Sequence, residues 1–103
     1  DNYPPPMENH KAAGEWIGEY TLDGKIIMAE WDTNLDAFFY GRKPINETNS
    51  YISFPFKFDY GVVNPALNYR RTPKQKAQLE QYVERIYSNG DIIVYYKAAG
   101  NSP

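Results

Sequence analysis

Asp23-Gly24 joins two short runs, Glu15–Leu22 and Lys25–Trp31, that are rich in aromatic and branched apolar residues. A type I′ turn needs φ > 0 at both central positions, and Asp-Gly is among the dipeptides that meet that need while matching the twist of the flanking strands. A β-hairpin over residues 15–31 is therefore predicted. The turn sets its register. With Leu22 opposite Lys25, Tyr20 faces Ile27, Gly18 faces Ala29 and Trp16 faces Trp31, which brings both tryptophans together on one face. Such a cross-strand aromatic contact contributes about 0.2–1 kcal/mol. The opposite face mixes Ile17, Ile26 and Met28 with Glu19, Thr21 and Glu30, a half-covered pattern.

The rest of the composition agrees with a β-rich domain. The 103 residues suit one domain, and 42% hydrophobic against 23% charged is ordinary for a folded chain. Aromatics are in excess at 17%, and these side chains favour pleated, half-buried surfaces. A net charge of −2 and a pI near 5.3 provide no overall attraction for a nucleic-acid backbone, so no nucleic-acid partner is expected. With no cysteine and a single histidine, disulfide frameworks, thiol nucleophiles and zinc-finger spacings are excluded. No apolar run reaches the ~20 residues of a membrane helix, and no cofactor motif is present.

Along the chain, the three prolines at 4–6 predict an extended arm or tether over residues 1–14. The single domain then runs over 15–97, and residues 98–103 should fray. Leu35–Tyr40 reads as a strand closed by Gly41, with a loop from Arg42 to Ser50. Ile52, Phe54, Phe56, Phe58 and Tyr60 alternate with Ser53, Pro55, Lys57 and Asp59, the period of a half-buried strand. Pro55 places that strand at an edge or a bulge. Thr72-Pro73-Lys74-Gln75 is an explicit helix start, with an N-cap, proline at the first helical position and a capping box. Leu79, Tyr82, Val83, Ile86 and Tyr87 continue at helical spacing, so a helix over 73–88 is predicted, stopped by Asn89-Gly90. Asp91–Lys97 is apolar on both faces and belongs inside the sheet.

Residues able to carry chemistry are few. In the hairpin register Glu19 and Glu30 are diagonal neighbours with Cβ atoms ~7–8 Å apart, within reach of the carboxyl spacings of glycoside hydrolases. Without burial to raise one pKa, the plainer reading is two solvated charges. His10, in a polar lead-in, is expected at the surface. Arg70, Arg71 and Lys74 surround the start of the C-terminal helix, where free N–H groups and positive potential suit an anion; solvated loop charges are the alternative. Asn46-Glu47-Thr48 matches a glycosylation acceptor, a tripeptide common by chance. Trp16, Trp31, Phe54, Phe56 and Phe58 suit a core, whereas Tyr40, Tyr69 and Tyr95 are candidates for a ligand-binding surface.

Asp1-Asn-Tyr-Pro-Pro-Pro6 resembles the start of a mature gut-bacterial lipoprotein just after its lipidated cysteine. Gly14-x-Trp16-x-Gly18-x-Tyr20 followed by Ile52-Ser53-Phe54-Pro55 is similar to small calycin-like lipoproteins of unknown function. The match covers about residues 1–60. It implies an exported protein of the periplasm or cell surface, a possible lipid anchor before Asp1, and a barrel-like sheet; it implies no activity. The combined expectation is a mainly β, α+β domain: an antiparallel, strongly curved or partly closed sheet of about five strands under one C-terminal helix. Its expected role is that of a non-enzymatic accessory module that binds a small ligand, a glycan or a protein partner. A hydrolase using Glu19 and Glu30 and an inhibitor-like interaction domain are the alternatives.

Overall fold

The computed structural model describes residues 5–30, 33, 35, 43–48, 51–66 and 71–98. In chain order these form helix α1 (Pro5–Tyr20), strands β1 (Ile27–Glu30), β2 (Asn46–Thr48) and β3 (Tyr60–Val63), helix α2 (Pro73–Tyr82), and strands β4 (Glu84–Ser88) and β5 (Ile93–Tyr96). The strands make one open mixed sheet in the order β2-β1-β3-β5-β4. β1 runs parallel to both β2 and β3, pairing Met28 with Asn46 and with Gly61. β5 is antiparallel to β3 and β4.

Strand side chains alternate between two apolar layers. On one face Ala13 and Ile17 of α1 pack with Ile27 and Ala29 of β1, Tyr60 and Val62 of β3, and Ile92 and Val94 beside and within β5. Ile17 has no exposed surface, a burial that stabilises by about 1.5–3 kcal/mol. On the other face Ile52, Phe56 and Phe58 join Leu79 of α2 and Val83 against Val63, Ile93 and Tyr95. The sheet is thus sandwiched between α1 and a layer made by the 51–58 segment and α2.

Several expectations are corrected. Residues 15–20 are the end of α1, so the hairpin does not form; the expected Trp16–Trp31 contact involves Trp31, which lies outside the described residues. The helix also replaces the extended arm from Pro5 onward. Prolines are tolerated in a first helical turn, where the missing N–H has no intrahelical acceptor. His10, Ala13, Gly14, Ile17 and Thr21 are buried, a stripe at helical spacing that seats α1 on the sheet. Trp16 belongs to this helix and stacks on Tyr87 of β4, ring centroids 4.8 Å apart.

The sheet is neither wholly antiparallel nor closed: β1 makes two parallel pairings, and β2 and β4 are its edges. The barrel-like sheet implied by the calycin resemblance is therefore overturned. There are two helices among the described residues, and the helix expected over 73–88 ends at Tyr82, because Val83 is already extended at φ −131°, ψ 151° and Glu84–Ser88 pair with β5. Residues 51–59 lie outside the ladders, yet burial of Ile52, Phe56 and Phe58 against exposure of Ser53, Pro55 and Lys57 keeps the expected alternation. Of the strand proposed at 35–40 only Leu35 is described, and it is buried.

Two expectations hold in detail. Thr72 caps α2: its Oγ1 accepts from Gln75 N at 3.1 Å, and Gln75 Oε1 accepts from Thr72 N at 2.8 Å. β5 lies inside the sheet, between β3 and β4, with Ile93, Val94 and Tyr95 buried. No helix among the described residues is long and apolar enough to cross a membrane.

Candidate functional site

The structure separates the residues that the sequence nominated. Glu19 is exposed on α1, while Glu30 is fully buried at the end of β1. The diagonal pairing that would have made them an acid/base couple rested on the hairpin and is absent. Tyr95 is 2% exposed, the opposite of a free surface residue. Burial raises its phenol pKa above the ordinary value, an effect partly offset by the positive charge and hydrogen bonding of Arg85, opposite it on β4. Tyr40, Tyr69 and Arg70 lie outside the described residues. Lys74 is exposed on α2.

Arg71 is buried and does not stand open to an outside anion. Its guanidinium pairs with the Glu30 carboxylate, both side chains 1% exposed, and the same Glu30 oxygen accepts from Ile52 N at 2.8 Å. Arg71 also lies 5.0 Å from the centroid of the Tyr51 ring. A charge removed from water demands such partners, so this cluster reads as a tie between β1, the 51–58 segment and the start of α2. His10 is likewise buried; its Nδ1–H donates to the Thr33 carbonyl, which holds α1 to the chain just after β1. The described residues contain no metal-binding group of three or more His, Cys, Asp or Glu side chains.

The surface feature that the sequence reading missed is the turn from α1 to β1. Tyr20, Leu22 and Ile26 are the exposed large hydrophobic residues among those described, at 63%, 57% and 49%, and they fall on one seven-residue stretch. This turn is built, with its backbone tied from three separate segments. Thr21 Oγ1 donates to Ile17 O at 2.5 Å, closing the helix. Lys43 Nζ donates to Thr21 O and, at 3.2 Å, to Thr21 Oγ1, and lies 3.3 Å from Asp23 Oδ1. Leu22 N donates to Tyr60 Oη at 3.1 Å, and Ile26 N donates to Asp59 Oδ2 at 2.8 Å. Gly24 supplies the positive φ, +77°, that the reversal needs.

A cleft of about 260 Å³ opens beside this turn between Leu22, Lys25 and Ile27 on one side and Lys43 and Pro44 on the other. Tyr20 extends the apolar strip along α1 by packing on Trp16, centroids 5.4 Å apart. Such an arrangement can accept apolar side chains of another molecule without first paying for loop ordering. One signal for it was present in the sequence: once 10, 13, 14, 17 and 21 are read as the buried stripe, Tyr20, Leu22 and Ile26 are left outside it. No protein-family model, curated protein or solved structure matches the chain.

Proposed function

We propose that the protein is a non-catalytic interaction module that presents the Tyr20–Ile26 turn to a protein partner. The observation that supports it is the coincidence of exposure and order: three large apolar side chains are held in water on a backbone anchored by Lys43, Tyr60 and Asp59. Isolated exposed apolar residues are common on soluble proteins and mean little. A cluster on a braced turn is different, because rigid aromatic and aliphatic groups are the typical anchors of interfaces and lose little entropy on binding. The cell-envelope address and the lipid attachment ahead of Asp1 belong to the same proposal, supported by the resemblance of the opening residues to lipoprotein starts; fatty-acid labelling of the protein in its native cells tests them.

The interaction is tested by affinity capture from the native source with the wild type and with a Leu22→Ser, Ile26→Ser double variant. Both substituted positions are exposed, so the melting temperature should change little. A specific partner should be held by the wild type and weakened at least about tenfold in the variant, the loss of roughly 1.4 kcal/mol. Hydrogen exchange at residues 21–27 should slow in the complex. Equal retention by both proteins, or protection confined to other segments, overturns the proposal.

A further inference from the structure

A second concavity lies on the opposite face of the sheet. It is an open cleft of about 230 Å³, lined by Met28 of β1, by Tyr51, and by Ser53, Pro55, Lys57 and Phe58. Alternation along the 51–58 segment explains its chemistry: Ile52, Phe56 and Phe58 are buried in the core, which turns Ser53, Pro55 and Lys57 outward along the rim. Met28, Tyr51, Pro55 and Phe58 give the cleft an apolar wall beside the hydroxyl residues Thr48 and Ser53, and among the described residues Lys57 is the one charged side chain in the lining. No carboxylate among the described residues pairs with it.

The site is also braced. Ile52 N is held by buried Glu30, the Arg71 guanidinium supports the Tyr51 ring, and Lys97 Nζ donates to Phe56 O at 2.6 Å. We propose that this cleft binds a small monoanion with a flat apolar body, an aromatic carboxylate of about benzoate size, with its ring between Tyr51 and the Met28–Phe58 wall and its carboxylate at Lys57. Size supports the class, since a cavity of ~150 Å³ already accommodates benzene. Charge supports it too, because a single cation beside an apolar wall is complementary to one negative head on an apolar body. This site is independent of the Tyr20–Ile26 turn, so either reading can fail alone.

The experiment is a titration of the isotope-labelled protein with benzoate and with its neutral isostere benzamide, read by NMR. Benzoate at millimolar concentration should shift the Met28 methyl and the backbone signals of residues 51–58, with benzamide binding about threefold or more weakly, the size of one exposed charge contact. Lys57→Gln keeps the stem, removes the charge and lies at an exposed position. In that variant benzoate should bind no better than benzamide does to the wild type. The proposal is overturned by shifts that are absent or scattered, by equal affinity for the two probes, or by an unchanged benzoate affinity in Lys57→Gln.

Discussion

Two glycines are required for opposite reasons. At Gly24 a Cβ would meet nothing within 4 Å, and the constraint is the backbone, φ +77°. At Gly61 a Cβ would fall 2.6 Å from Phe58 Cζ and 2.9 Å from Ile52 Cδ1, so the constraint is space. Gly24→Asn should therefore be tolerated, since asparagine accepts the left-handed region, whereas Gly24→Val should cost about 1–3 kcal/mol. Gly61→Ala should cost about 1–3 kcal/mol by overpacking. Urea melts separate the two, and a stable Gly61→Ala protein would show that the 51–58 segment can move off the sheet. Tyr95 makes a pH prediction. Its pKa is raised by burial, so the fold favours the protonated ring relative to an unfolded chain whose tyrosines ionise near pH 10. That contribution is complete below pH 10 and is lost as pH climbs from there toward the higher folded value. As pH rises above about 10 the wild type should lose more stability than Tyr95→Phe; parallel curves would refute it.

Helix α1 shows how an element with weak local signals is held in place. Its last turn carries no basic residue of its own, yet a helix C-terminus exposes carbonyls and a partial negative charge. Lys43, distant in sequence, supplies the cation to Thr21 O. At the other end Asn9 Nδ2 donates to Asp91 at 2.8 Å and Asn9 O accepts from Asn89 Nδ2 at 2.7 Å, fastening the helix to the β4–β5 turn. Lys43→Met should cost about 1–2 kcal/mol, nearly all from the half-buried contact with the helix carbonyl, since Asp23 is 96% exposed and such a pair contributes little. Asp23→Asn should then be close to neutral. A thermal melt in which Asp23→Asn costs as much as Lys43→Met would reassign the role of the lysine to the surface pair.

Taken together, the layers converge on the Glu30–Arg71 pair, which joins β1 to the 51–58 segment and to the start of α2. Removing Arg71 leaves a buried carboxylate without its cation, so Arg71→Met should cost about 3–5 kcal/mol. Combining it with Glu30→Gln removes the charge while keeping an oxygen for Ile52 N. The double variant should be more stable than Arg71→Met alone, by on the order of 1 kcal/mol or more. Strict additivity of two destabilising substitutions in urea melts would show that the pair does not couple these layers.

Mostly local chemistry is legible in the chain alone. The capping box at Thr72–Gln75, the doubly apolar strand at β5 and the in-out alternation of 52–58 are readable because near neighbours or simple periodicity dictate them. Asp23-Gly24 and Asn89-Gly90 show the limit. Each dipeptide supplies a glycine at positive φ, +77° and +94°, but the first joins a helix to a strand and the second joins β4 to β5, the reverse of the assignments that their surroundings suggest. A turn dipeptide fixes a dihedral and leaves its flanking elements open. The region Glu15–Tyr20 can satisfy either a two-residue or a helical period, and the sheet decides by burying Ala13 and Ile17. Likewise Val83–Ser88 can extend α2, but pairing with β5 satisfies the same backbone groups and buries Ile86 and Tyr87 against the core. Arg71 and Tyr95 illustrate the same point for function: their side chains suggest binding chemistry, and only tertiary burial shows that one is already paired and the other already packed.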